Sequence, residues 1–397
     1  MSDLKTTVKK LAANYAQEVI EIRRHLHQNP ELSFEEFKTS QYLQEKLKSW
    51  GLNIDAQWIK TAFTVVIDSK KEGPTLGLRA DMDALPIIEQ TGATYQSKNK
   101  GIMHACGHDV HSAALMGVTK ILKETKENWK GKVVLIFQAA EEKFPGGASL
   151  MLKEGLLKKY KIDRMLAQHV YPEMEVGKVG FRSGMYMASA DEIYLTVKGK
   201  GGHAALPHKN IDPIIIAANI LIKLQQLSSR IAPPTIPTVL SFGKIEGLGA
   251  TNVIPDKVKI EGTLRTLSEE WRAIYHKRIK EICHAEAKSM GGECEVDIKK
   301  GYPFLVNDEK TTIFSKEAAE EFLGVKNVEE LALRMTAEDF AYFSQKLPVC
   351  FYRLGVGNKN KGIKYSVHHL KFDIDEDALE IGSALMAYIA IQHLNHF

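Results

Sequence analysis

The run Lys132-Val-Val-Leu-Ile-Phe137 is apolar at every position after its lysine and leads straight into Gln138-Ala-Ala-Glu-Glu142. A strand with one wet face alternates apolar and polar residues, so an unbroken apolar run predicts a strand buried on both faces, as in the middle of a mainly parallel sheet. That places the chain in the α/β class. In such sheets ligand sites gather beyond the carboxyl ends of the strands. Arg79-Ala-Asp-Met-Asp83, Gln138-Ala-Ala-Glu-Glu142 and Ala167-Gln-His-Val-Tyr-Pro172 all follow strand-like runs in that position.

Helical patterns flank these runs. Residues 7 to 28 read as one helix, and a second is expected to open at Ser33-Phe-Glu-Glu36, where Ser33 and Glu36 have capping-box spacing, and to stop at Gly51. Near Gly184 the texture changes. DEIYLTVKG, TVLSFGKIEG and KVKIEGTLRT alternate like half-exposed strands; Asp212-Pro213 starts a helix, another runs from Ser268 to about Met290, and ECEVDIKKGY closes the series. The order β-α-β-β-α-β predicts a ferredoxin-like unit with one bare sheet face and an open edge, which invites pairing with a second copy. After Gly301 longer helices and the apolar run PVCFYRLGV return. We therefore expect a discontinuous catalytic domain over 1–183 and 298–397 and an inserted α+β lid and dimerisation domain over 184–297.

Composition excludes several classes. A net charge of +4 without basic blocks gives no nucleic-acid footprint. The longest apolar stretch, 214 to 222, is too short to span a bilayer, and the first residues lack a signal-peptide core, so a cytoplasmic protein without membrane partners is expected. The four cysteines, 106, 283, 294 and 350, have no CxxC spacing and form no disulfide framework.

Cys106 must then be explained by its neighbours in MHACGHDVHSAALMG. Cys106 and His108, two apart before a helix, are a thiolate and an imidazole suited to zinc and similar ions, although a helix start with incidental polar groups reads the same way. His104 and His111 are candidates for orienting such ligands. Asp81 and Asp83 fall on one side of an extended segment. Glu141 and Glu142 are adjacent, so their carboxylates diverge, which suits one to metal and the other to protons. His169 at a strand end, and His368-His369 before the strand-like KFDID, complete the constellation.

Together RRHLHQNPELSFEE, LRADMDALPI, MHACGHDVHSAALMG, QAAEE with GGA after it, HVYP, GKGGHAALPH, TNVIPD, GTLRT and AEDFAYF occur in an order that resembles the metal-dependent amidohydrolases of the aminoacylase and carboxypeptidase superfamily, in the branch of N-acyl-amino-acid amidohydrolases and hippurate hydrolases. The resemblance implies two divalent ions per subunit (zinc, manganese, cobalt or nickel) held by Cys106, His108, Glu142, His169 and His368. It implies Glu141 as general base, with Asp83 backing a metal ligand. His203 would stabilise the oxyanion from a partner subunit, and Asn252 and Arg265 would contact the substrate, the arginine through its carboxylate. Asp81 stands where more distant relatives carry a ligating histidine, and its role is left open. Leu370 replaces a proline frequent after the histidine pair, which leaves His368 against His369 to be settled, and Lys143-Phe144 replaces smaller residues at the pocket rim. The implied activity is hydrolysis of N-acyl amino acids by a homodimer or homotetramer; the rivals are a dipeptide-cleaving metallopeptidase and a noncatalytic metal-binding homologue.

Overall fold

The computed structural model describes residues 4–397. Helix α1 (Leu4–Gln28) is followed by α2 (Phe37–Ser49), β1 (Ile54–Trp58), β2 (Ala62–Asp68), β3 (Thr75–Asp81), α3 (His108–Glu124), β4 (Lys132–Gln138), α4 (Gly147–Lys153), β5 (Arg164–Glu175) and β6 (Val179–Phe181). The chain then builds β7 (Asp191–Lys198), α5 (Pro213–Leu224), β8 (Thr238–Glu246), β9 (Lys257–Thr266), α6 (Glu269–Ser289) and β10 (Glu293–Lys300), and returns through α7 (Glu309–Leu323), β11 (Val328–Glu330), β12 (Val349–Gly357) and α8 (Asp377–His396). Two compact units result. One holds the chain up to Gly184 with Val306–Ala332 and Tyr342–Phe397; the other, inserted, holds Met185–Leu305 and Leu333–Ala341.

Among the described residues the first unit carries an eight-stranded sheet in the order β1-β2-β4-β3-β5-β12-β6-β11. Its centre, β4-β3-β5-β12, is parallel, and antiparallel pairs flank it. The apolar run at 132–137 lies in β4, with Val133 to Phe137 buried, and Phe63 of β2 stacks on Phe137 with ring centroids 4.7 Å apart. Helices α1, α3 and α8 pack on one another over the sheet. Their close approach depends on Gly117 of α3, where a Cβ would meet Ser383 Oγ of α8 at 2.4 Å. A larger residue would push the two helices apart.

The inserted unit has a four-stranded antiparallel sheet, β8-β9-β7-β10, which with its two helices reproduces the ferredoxin-like order. Ile193, Leu195 and Val197 of β7 face Ile216 and Ile220 of α5 and Ile279 of α6 in one core, while Glu192, Tyr194 and Thr196 alternate onto the opposite face. Asp212 caps α5 by accepting from the Ile214 N–H at 2.8 Å, with Pro213 in its first turn, and Ser268 accepts from the Trp271 N–H at the start of α6. No helix among the described residues is long and apolar enough to cross a membrane.

Three local expectations are corrected. Helix α2 begins at Phe37, and no Ser33–Glu36 capping box forms; Glu31 instead accepts from the Lys38 and Thr39 N–H groups at 3.2 and 2.8 Å. Strand β5 continues to Glu175, because parallel pairing with β12 extends past Tyr171, so His169 lies within a strand instead of at its end. KFDID forms no strand; it is an irregular approach to α8.

Candidate metal centre

Strand β3 ends at Asp81, and two residues later Asp83 is fully buried and accepts four hydrogen bonds. Oδ1 takes the His108 Nδ1–H at 3.1 Å and the Glu141 N–H at 3.0 Å; Oδ2 takes the Glu142 N–H at 2.9 Å and the Ser33 hydroxyl at 2.6 Å. Burial alone would raise this carboxyl, but the hydrogen bonds from His108, Ser33 and the Glu142 N–H hold it below the usual range. One carboxylate thus fixes a histidine from α3 and the two glutamates beyond β4. With Nδ1–H committed to Asp83, His108 presents Nε2 to the interior, where it has no hydrogen-bond partner among the described residues. Glu141 Oε2 and Glu142 Oε1 each lie 3.9 Å from it.

The loop before α3 turns at Gly107, with φ of +84°, where a Cβ would strike Val170 Cγ2 at 2.5 Å. Only glycine lets Cys106 and His108 sit on either side of that turn against β5. On β5, His169 donates from Nδ1 to the Val170 carbonyl at 2.8 Å, which leaves Nε2 facing Cys106 Sγ at 3.5 Å. From the last irregular segment, His368 is held with φ of +66° by its N–H bond to the Ala105 carbonyl, 2.7 Å, and its Nε2 lies 3.1 Å from Glu142 Oε1 without hydrogen-bond alignment. His369 points elsewhere: it stacks on Tyr365 and accepts from the Lys371 N–H at 3.0 Å.

Cys106, His108 and His169 bring their donor atoms within 4.8 Å of one another, and so do Cys106, Glu142 and His368. The two trios share the cysteine. Asp81, His108 and His111 also converge, but His111 is fully committed: Nδ1 donates to Asp81 at 2.5 Å, and Nε2 accepts from the Val170 N–H at 2.9 Å. Asp81 is likewise occupied, by His111 and by Arg79 at 2.5 Å. His111 therefore braces β5 beside His169, and Asp81 fixes His111. His104, expected to orient a ligand, has no hydrogen-bond partner on either ring nitrogen among the described residues, and burial pushes it down to about 4.

A thiol, imidazoles and a carboxylate suit a borderline ion. The centre is also rich in acidic groups: although burial opposes protonation, Asp81, Asp83 and Glu142 raise His108 to about 10, a proton that a bound cation would displace, and burial with Glu142 and Glu141 pushes the Cys106 thiol far up. A cation would satisfy the Nε2 of His108, the Oε1 of Glu142 and this excess of acidic groups together. The residues fit.

The other three candidates lie in the inserted unit. His203 is exposed on a short strand paired with Val253–Ile254, its Nδ1 accepts from the Ala205 N–H at 3.1 Å, and the Asn252 carbonyl accepts from the neighbouring Ala204 N–H at 3.0 Å. His203 and Asn252 are thus neighbours. Arg265, on β9, is half-buried and its guanidinium makes no hydrogen bond or ion pair among the described residues; burial lowers it. The sequence reading passed over Asp109, buried between Arg23 Nε and His27 Nδ1, each 2.8 Å away, and over the contact from Ser33 to Asp83. Their signal was the dense polar motif RRHLHQNPELSFEE, which helix capping does not account for.

Residues 77–392 match the model of peptidase family M20/M25/M40. This chain belongs to that family. It is a hydrolase acting on linear amides. Among M20 relatives it is 41% identical over 363 residues to the N-acetyl-L-cysteine deacetylase of Bacillus subtilis, covering 91% of this chain and 85% of that one. It is 37% identical to thermostable carboxypeptidase 2 of Saccharolobus solfataricus, with 95% of each chain covered. The crystal structure of the Bacillus subtilis YxeP protein, described as a dinuclear metal-binding peptidase of the M20 family, superposes with a TM-score of 0.82 at 32% identity over 96% of this chain and 99% of that one.

Proposed function

We propose that this M20 hydrolase cleaves the amide bond of N-acyl amino acids at a centre of two divalent ions held by Cys106, His108, Glu142, His169 and His368. The observation that carries the reading is the pair of donor trios sharing Cys106, with the Glu141 carboxylate 3.9 Å from His108 Nε2 beside them. The dinuclear site described for YxeP and the acetyl substrate named for the Bacillus deacetylase support it. Bound ions of this kind polarise a carbonyl and lower the pKa of water to near 7.

The protein's own groups do the rest. Glu141, whose backbone N–H is anchored on Asp83, takes the proton of the attacking water and delivers it to the leaving amine. Asp83 keeps the His108 tautomer fixed through the cycle. To His203 and Asn252 we assign contacts with the scissile carbonyl, His203 acting in a homodimer or homotetramer through the inserted unit. To the unpaired Arg265 we assign the substrate carboxylate. The exposed Ile214, Ile215 and Ile222 of α5 and Ile245 of the edge strand β8 support association through that unit.

The likeness to a carboxypeptidase favours one second reading, cleavage of unblocked dipeptides. The deciding experiment is amine release by metal-replete enzyme from N-acetyl, N-benzoyl and longer N-acyl amino acids beside unblocked dipeptides. Turnover of the blocked set alone supports the proposal, turnover of dipeptides alone supports the second reading, and no turnover in either leaves a metal-binding homologue. Glu141→Ala should keep its metal and lose turnover, whereas His108→Ala should lose both. Light scattering at micromolar concentration checks the oligomer.

A further inference from the structure

Between β4 and Glu142 the chain makes a tight turn whose hinge residue, Ala140, has φ of +55°, a left-handed conformation that an alanine rarely adopts. Three consecutive N–H groups leave this turn, and buried carboxylates take all of them. Asp83 accepts from Glu141 and Glu142, while Glu36 Oε1 accepts from Ala140 at 2.8 Å. Glu36 is itself completely buried and fixed from its far side: Oε1 also accepts from the Phe34 N–H at 3.0 Å, and Oε2 from the Thr61 hydroxyl at 2.7 Å. A carboxylate that neither caps its helix nor meets a cationic side chain, yet holds the backbone next to Glu141, calls for an explanation.

We infer that Glu36 is a positioning residue that clamps Ala140 in its left-handed conformation and so aims Glu141 and Glu142 into the centre. The inference rests on the reading of Glu141 as base and Glu142 as cation ligand. Asp83 fixes the two glutamate amides and the Gly147 N–H holds the Ala140 carbonyl at 2.8 Å, but the Ala140 N–H is held by Glu36; without Glu36 that peptide relaxes toward ordinary φ and swings the turn. What the clamp needs is the acceptor at Oε1, not the charge. Burial, and after it the charge of Asp83, raise Glu36 to about 7, and a protonated or amide side chain still offers that oxygen to Ala140 while the other atom bonds Thr61.

The test compares the full-length wild type with Glu36→Ala, Glu36→Gln and Glu36→Ala/Ala140→Gly, with folding checked by circular dichroism. Steady-state rates on an N-acetyl amino acid give kcat and KM, and Co2+ titration of metal-free protein gives cation affinity without any turnover. Misplacement of a reacting group by about 1 Å costs up to roughly 100-fold, so Glu36→Ala should lose about 10- to 100-fold in kcat with KM nearly unchanged. Its weaker Co2+ site should bind about tenfold less tightly, in the range found when a group orienting a metal ligand is lost. Glu36→Gln should stay near wild type in both. Glycine at 140 adopts positive φ at no steric cost and should restore part of the lost kcat. An unchanged Glu36→Ala, a Glu36→Gln as damaged as Glu36→Ala, or no recovery with Ala140→Gly would overturn the inference. If Glu36→Ala does not fold, the volume-matched Glu36→Met replaces it, and failure of both assigns Glu36 to folding alone. Should the wild type hydrolyse no N-acyl amino acid, the proposed activity fails while the Co2+ arm still decides the clamp.

Discussion

At the scale of single residues, the centre is defined by which ring nitrogens and carboxylate oxygens are already committed. His111 has both nitrogens engaged, and His369 is turned toward Tyr365 and Lys371, whereas His108, His169 and His368 each present Nε2 to the shared space. This separates two adjacent histidines that the sequence could not. His368→Ala should bind one divalent ion per chain in place of two and lose most turnover, while His369→Ala, which removes no donor from either trio, should bind two and stay within about threefold of wild type. Elemental analysis of dialysed protein checks the stoichiometry; equal loss in both variants would remove His368 from the ligand set. The residue types at Cys106, His108, Glu141 and Glu142 were legible in sequence because few other roles bring a thiol, an imidazole and paired carboxylates to neighbouring strand ends. The fourfold use of Asp83 was not, since its donors come from Ser33, His108, Glu141 and Glu142, and no local pattern records that they meet.

At the scale of elements, periodicity identified β4, α5, α6 and the four strands of the inserted sheet, because each has one decisive buried pattern. It misplaced the start of α2, where Ser33 and Glu36 have cap spacing but are drawn away by Asp83 and Ala140, partners distant in sequence. A similar long-range tie organises the inserted unit. Asp191, at the start of β7, accepts from Arg272 Nε at 2.9 Å and Nη2 at 2.5 Å, from His276 at 2.6 Å, both on α6, and from the Gly301 N–H at 3.1 Å beyond β10. Burial opposes ionisation, but the Arg272 and His276 hydrogen bonds win and bring Asp191 down to about 2 from 3.8. A folded-state pKa below the unfolded one stabilises the protein above pH 3.8, and that contribution is lost as pH falls toward 2. Asp191→Asn leaves the buried Arg272 with only the part-exposed Glu269 as its anion and should cost about 2 kcal/mol or more at pH 7. The gap to wild type should narrow by about 1 kcal/mol at pH 3, where the unfolded aspartate is protonated and the folded one is not. Urea melts at pH 7 and pH 3 test this; a gap independent of pH would mean that Asp191 acts through shape and not through charge.

At the scale of the whole molecule, the two units differ in what stabilises them. Cys106, His108, Glu142, His169 and His368 all belong to the discontinuous unit, drawn from segments on both sides of the insertion, while the inserted unit has its own core between α5, α6 and the sheet. On the proposed reading, ions held by those five side chains would cross-link distant parts of one unit and none of the other. A ligand that binds only the folded state adds about 2.7 kcal/mol when its concentration is 100 times its Kd, so two ions bound there would contribute several kcal/mol to the discontinuous unit alone. The tryptophans allow the units to be watched separately, because Trp50, Trp58 and Trp129 lie in the discontinuous unit and Trp271 in the inserted one. Chelation should lower the thermal midpoint followed by the first three, measured in Trp271→Phe. The component carried by Trp271, obtained as the difference from wild type, should keep its midpoint. A cysteine ligates as the thiolate and histidines as neutral rings, so if Cys106 and the histidines hold the ions, lowering the pH at fixed total metal should reproduce the chelator's effect on the same transition. If both components shift together by the same amount, the ions stabilise the chain as one cooperative block; if neither shifts, the five side chains do not hold the metal that the chemistry requires.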